Sequence, residues 1–468
     1  MSASDHRAEQ KRSIGEVSSH KIILTLILGS ILPLLDSTAL GMAIPALSDT
    51  FASSVQELQK VVTLYAIAAA VTVPLCAWGM KRYSNKSVWL LGLTVFLLAS
   101  VACATAGSVN SLIIFRIFRI FRIFQGVGAG ILMATMQPVL LHAVGREQFK
   151  GAMASVAIPA VIVPILGPLV AGLIVNSVSW RWIFLLNVPI SIFAMFLAWY
   201  YLPNSPSDKQ SKLDLQGYLL FACGLAIAIY GLSEVSSDSL DMLTIPALGL
   251  VVLSLSLIGY YVYYALTKSS HPILDVRLFS IPPFRNTALL LFLSSLVFYS
   301  SLFIFPSIFI EHYGYSTLSA SAMLGVSGLG ALLSRSYLHK LTSHFSVSKV
   351  AMISVLISLI GTLPLLYDSA FELMPLVVLS MLLRGAGLGL MTLLTMTHLY
   401  HYVPEDKTPD TSAWSRILTL LGGAIGTASI GFFYQWEMST QSHQTVCALT
   451  VVTLVCLIPA FSLEKSKA

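Results

Sequence analysis

The chain has 468 residues, 56% of them hydrophobic and only 10% charged. Soluble domains carry about 25% charged residues, so this composition excludes a soluble enzyme and specifies a polytopic membrane protein. The net charge of +6 at pH 7 follows membrane topology, as the loops show, and implies no nucleic-acid partner.

Residues 1–20 are polar and mixed in charge, without the apolar core or small-residue cleavage site of a signal peptide. They are expected to form a cytoplasmic tail. A membrane-spanning helix needs about 20 mostly apolar residues. Fourteen runs qualify: 22–45, 60–79, 88–107, 112–143, 152–176, 182–202, 215–233, 243–266, 286–310, 317–338, 349–367, 373–401, 412–434 and 444–463. A spanning chain must satisfy its backbone internally, so the predicted fold is all-α, an integral membrane protein of fourteen transmembrane helices. The N-terminal tail and the connections after even-numbered spans hold most loop lysines and arginines, among them Lys81, Arg82, Lys86, Arg146, Lys150, Arg277 and Lys407. The opposite connections hold only Lys60 and Arg181. Positive charge stays inside, which places both termini in the cytoplasm.

In chain order, span 1 carries Asp36, the one acid deep within an apolar run. Span 4 opens with "FRIFRIFRIFQGVGAG", three arginines (Arg116, Arg119, Arg122) at steps of three, then Gln125, Gly126, Gly128 and Gly130. Step-three residues turn by about −60° each, so the arginines spread over roughly 120° of the helix and cannot share one narrow stripe. Gly167 and Pro168 are expected to kink span 5. Glu234 and Glu311 lie near the outer ends of spans 7 and 9, and Arg384 precedes a glycine trio in span 12. An intramembrane charge is costly and points to function. Arginine stays protonated and cannot itself carry the proton. Asp36 can: dry surroundings favour its neutral form, and water or a neighbouring arginine favours the carboxylate. A fixed salt bridge between spans 1 and 4 is the structural alternative. Gln125 has substrate or Arg122 as partner, and the glycines serve close helix approach or substrate contact. Arg384 reads equally as structural or substrate-facing, and Glu311 as a second cation site or a solvated loop end. The five cysteines sit in apolar runs, and no metal spacing is present; His142, His398 and His401 read as interfacial.

Gly126 to Val144 and Gly385 to Val403 both open Gly-x-Gly-x-Gly and close His-x-Val, at one constant offset. "LGPLVAG" in span 5 and "LGGAIG" in span 13 match at nearly the same offset. The repeat pairs spans 1–6 with spans 9–14. It predicts two pseudo-symmetric six-helix bundles, 21–203 and 269–463, joined by a linker, 204–268, with two extra helices, and a short tail, 464–468.

Four stretches, "LLDSTALGMAIPAL", "RIFQGVGAG", "GPLVAG" followed by "SWRWIFLLNVPI", and "RILTLLGGAIGTA", resemble the fourteen-span drug/proton antiporter branch of the major facilitator superfamily. The resemblance implies a secondary active exporter in a bacterial cytoplasmic membrane. It would exchange protons for amphiphilic drugs or toxic organic compounds, with the proton gradient as energy source and no cofactor. A native metabolite or siderophore is the alternative cargo, and a non-transporting sensor or a channel the alternative class. Protons, a small-molecule substrate, the bilayer and a periplasmic adaptor are the partners it suggests. Carried onto this sequence, the functional arginine is Arg122, with two "FRI" units inserted before it. These would extend outward and place Arg116 and Arg119 near the headgroups. Gly167, Pro168 and Gly172 would seal the passage, although Val163 and Ala171 stand at expected glycines. Between spans 2 and 3, "AWGMKRYSNKSVWLLG" puts Lys81 where the family carries a gate aspartate, beside a retained Arg82.

Overall fold

A computed structural model describes residues 3–51, 53–106, 111–156, 158–205, 208, 210–235, 245–367, 373–440 and 444–463. Every regular element among them is helical. Eleven of the described helices are long and apolar enough to cross a bilayer.

Residues 1–211 form one compact unit. It contains α1 (Ala3–Phe51), α2 (Val55–Arg82), α3 (Asn85–Thr105), α4 (Ser111–Val156), α5 (Pro159–Ser177), α6 (Arg181–Leu185) and α7 (Asn187–Tyr201). Ser54 and Ser84 cap α2 and α3, accepting from the amides of Glu57 and Ser87 and so satisfying otherwise orphaned donors. Helix α4 is two helices joined at Gly145, whose φ of 75° lies in the left-handed region open to glycine. The fifth segment was expected to start at 152; instead 146–156 continue past this kink and α5 opens at Pro159. Proline fits there because the first helical turn needs no N–H.

Residues 212–468 form the second unit. It contains α8 (Leu215–Val235), α9 (Ile245–Thr267), α10 (Pro282–Ser307), α11 (Thr317–His344), α12 (Val347–Thr362), α13 (Met374–His398), α14 (Thr408–Thr440), α15 (Gln444–Val455) and α16 (Leu457–Ser462). Helices overlie all fourteen predicted segments, the sixth and fourteenth being broken.

One pairing scheme recurs in both units. Helix α4 packs along α2 and α3, and α1 along α5; likewise α13 packs along α11 and α12, and α10 along α14. The glycine trios explain the match. A Cβ on Gly126 or Gly130 would run into the α2 backbone at Tyr65 or Ala69, and one on Gly128 into α3 at Phe96. In the second unit Gly385 and Gly389 abut α11 at Ser327 and Ala331, while Gly387 abuts α12 at Ser358. Each trio brings three backbones together, which is how helices gain dispersion contact where no water drives association.

Helices α8 and α9 pair with each other, and α8 reaches α14. The Phe221 ring lies 5.0 Å from Tyr261 and 5.7 Å from Trp414. Trp414 Nε1 donates to the Asp275 carbonyl at 3.2 Å, and the Tyr261 hydroxyl donates to that of Leu274 at 2.7 Å. Lys407 Nζ meets Asp275 Oδ2 at 2.8 Å. Burial pushes the Asp275 carboxyl up, but the hydrogen bond and charge of Lys407 outweigh it and hold the group below its ordinary range. The extra helices are thereby docked on the second unit.

Candidate functional site

Arg122 and Gln125 are three residues apart on α4, so their side chains share one face. That face meets Asp36 of α1. Arg122 Nη1 donates to Asp36 Oδ2 at 2.7 Å and to Gln125 Oε1 at 2.5 Å. Gln125 Nε2 donates to Asp36 Oδ1 at 2.9 Å and to Ser100 Oγ of α3 at 2.9 Å. The result is a closed triangle in which both carboxylate oxygens accept. All three side chains are 0% exposed. The guanidinium carbon lies 4.4 Å from the Tyr65 ring of α2 and 5.7 Å from Phe184 of α6. Arg122 Nε has no hydrogen-bond partner.

Taking two charges out of water costs several kcal/mol per ion, repaid only by close geometry and satisfied lone pairs. The triangle meets that demand on the carboxylate side, where both oxygens accept, and leaves Arg122 Nε unsatisfied. It also ties α1, α3 and α4 through groups whose bonding depends on a single proton at Asp36. Sequence reasoning paired Asp36 with Arg122 and offered Arg122 as a partner for Gln125; it did not find Ser100 or Tyr65. Ser100 is a lone hydroxyl in an apolar run, which is too common a pattern to single out.

The phenylalanines of the triplet repeat add what its spacing did not show. The two extra units pack against neighbouring helices. Phe115 and Phe118 are buried in a cluster with Phe51, Trp180 and Phe184. Phe118 lies 5.3 Å from Phe51, 6.1 Å from Trp180 and 5.8 Å from Phe184. Arg116 is exposed, and half-buried Arg119 lies over the Phe115 ring at 4.5 Å. A repeat of three drifts around a helix of 3.6 residues per turn, so Phe115 and Phe118 face the core while Arg116 and Arg119 turn away and Arg122 turns in.

The remaining candidates are scattered. Lys81 and Arg82 end α2, and the segment after α7 straps that end. Asp208 N donates to the Lys81 carbonyl at 2.8 Å, and Arg82 Nη1 and Trp78 Nε1 donate to that of Ser211 at 3.1 and 3.3 Å. On α5, a Cβ at Gly167 would strike Thr38 Oγ1 of α1, and Gly172 is half-buried. The side chains of Pro168, Glu234 and Glu311 lie outside the described residues. Arg384, 2% exposed, donates through Nη2 to Ser301 Oγ of α10 and has its guanidinium carbon 4.6 Å from the Phe305 ring. Buried Asp410, in the first turn of α14, was not anticipated. No group of three or more metal-ligating side chains occurs among the described residues.

Residues 26–427 match the family described as Major Facilitator Superfamily. MdtD of Salmonella typhi, provisionally described as a multidrug resistance protein, is 26% identical over 441 residues, spanning 91% of each chain. Among solved structures, the human organic anion transporter MFSD10 (TETRAN) aligns with a TM-score of 0.67 at 16% identity, over 95% of this chain and 99% of that one. The proton:xylose symporter XylE, bound to 6-bromo-6-deoxy-D-glucose, gives a TM-score of 0.66 at 14% identity over 95% of each. At these identities the two structural likenesses speak for the fold alone.

Proposed function

The chain belongs to the Major Facilitator Superfamily, a family of membrane transporters, and from that membership we propose that it is a proton-coupled exporter of amphiphilic organic compounds. The observation that carries this reading is the buried triangle of Asp36, Arg122 and Gln125. A proton delivered to Asp36 cancels the carboxylate charge and turns one of its oxygens into a donor. Arg122 then loses its ion pair, and the tie between α1 and α4 weakens. Loss of the proton restores it. A proton moving down roughly 150 mV releases about 3.5 kcal/mol, enough to concentrate a cargo a few hundred-fold. The description of MdtD supports a multidrug cargo. Fourteen spans with both termini in the cytoplasm, in a bacterial cytoplasmic membrane, complete the proposal, supported by the helices over all fourteen segments and the basic loops on one side.

The test is efflux from reconstituted vesicles driven by an imposed pH gradient, wild type against Asp36→Asn. The Asn variant is expected to lose gradient-driven efflux while remaining folded by circular dichroism. Efflux that still follows the gradient in that variant removes Asp36 from the coupling role.

A further inference from the structure

The two units treat their buried cations differently. In the first, Arg122 faces a carboxylate. In the second, Arg384 stands directly before the glycine trio, where the first unit has Gln125, and α10, which takes the pairing position of α1, presents only the Ser301 hydroxyl. Among the described residues Arg384 makes no ion pair; its guanidinium meets Ser301 and the face of Phe305, and its Nε has no hydrogen-bond partner. It lies near the middle of α13, one of the helices long and apolar enough to cross a bilayer.

An uncompensated charge in such a place is expensive and marks function. Lysine or histidine could shed the cost by losing a proton, but a guanidinium cannot. Only an opposite charge can neutralise it. We infer that Arg384 is the recognition site for an anionic head group on the transported molecule, a carboxylate or sulfonate on an apolar body. This deepens the export reading and rests on it. The Nε edge of the guanidinium offers the planar fork that oxyanions accept in pairs. Ser301 and the Phe305 ring hold that fork in orientation. Phe305 belongs to a buried apolar core with Phe309, Val377 and Met381, which fixes its ring beneath the guanidinium. The same cation repels lipophilic ammonium compounds, so the second unit selects by charge sign.

The test uses the full chain in phosphatidylcholine nanodiscs at pH 7, with calorimetric titration of two probes of matched shape, 2-naphthalenesulfonate and 2-naphthyltrimethylammonium. Wild type is expected to bind the sulfonate at least about tenfold more tightly. Arg384→Gln is expected to erase that preference, and Arg384→Lys to keep part of it. Because the arginine is unpaired, Arg384→Gln is also expected to raise Tm; a structural arginine would lower it. Equal binding of both probes, binding of neither, or an unchanged ratio in Arg384→Gln overturns the assignment. Asp36→Asn should leave the sulfonate preference intact. Loss of gradient-driven efflux with the preference preserved therefore separates failure of the coupling reading from failure of the anion site.

Discussion

Replacing Asp36 by Asn changes one atom and removes one charge, and the structure shows what that does. Arg122 stays buried with no counter-charge. The new amide also sets an N–H against the Gln125 Nε2 that now donates to Asp36 Oδ1 at 2.9 Å. Rotating Gln125 to accept would turn its own amide toward Arg122 Nη1, which now donates to it at 2.5 Å. No arrangement of the triangle satisfies all three groups. Breaking a buried pair by removing one partner costs about 3–5 kcal/mol, a fall in Tm on the order of 10 °C for a unit of this size. Removing both charges, Asp36→Asn with Arg122→Gln, leaves no isolated ion and should recover most of the loss. The assay is thermal unfolding in nanodiscs of wild type, both single variants and the double. The expected coupling is about 3 kcal/mol. Additive losses, with no recovery in the double variant, would refute the claim that these two side chains neutralise each other.

Phe118→Ala empties the centre of the aromatic cluster and is expected to cost about 3–5 kcal/mol, whereas exposed Arg116→Gln should leave Tm within about 1 °C; equal effects would deny the cluster its role. Gly128→Ala pushes a methyl into the α3 backbone at Phe96 and should lower stability by about 1–3 kcal/mol, measured as loss of folded protein on heating. For Asp275, held below its ordinary value of 3.8 by Lys407, stability is present above that value and is lost as pH falls through the lower folded one. Lys407, raised above 10.5, contributes below that value and loses its contribution as pH rises through its folded one. Asp275→Asn should therefore lower Tm at pH 7, by an amount that shrinks as pH falls below 3.8, and a pH-independent difference would remove the ion pair as its cause.

Much of the site was legible in the sequence because a charge in an apolar run is costly wherever the run folds. Asp36 announced itself on that ground, Arg122 was picked from three arginines only by the family resemblance, and the glycine trios announced a repeat because close helix approach leaves no room for side chains. What the trios touch was not legible: that Gly126 and Gly130 abut α2 while Gly128 abuts α3 depends on which helices are neighbours. Ser100 joined the triangle for the same reason, as a hydroxyl whose partner comes from another helix. The triplet repeat was half legible, since its spacing was readable but the burial of Phe118 against Trp180 and Phe184 was not. Arg384 shows the same division. Its cost was written in the sequence; that α10 meets it with a hydroxyl instead of a carboxylate was decided only when the helices packed. Local composition sets what each residue demands, and tertiary contact, which joins residues far apart in the chain, determines whether the demand is met.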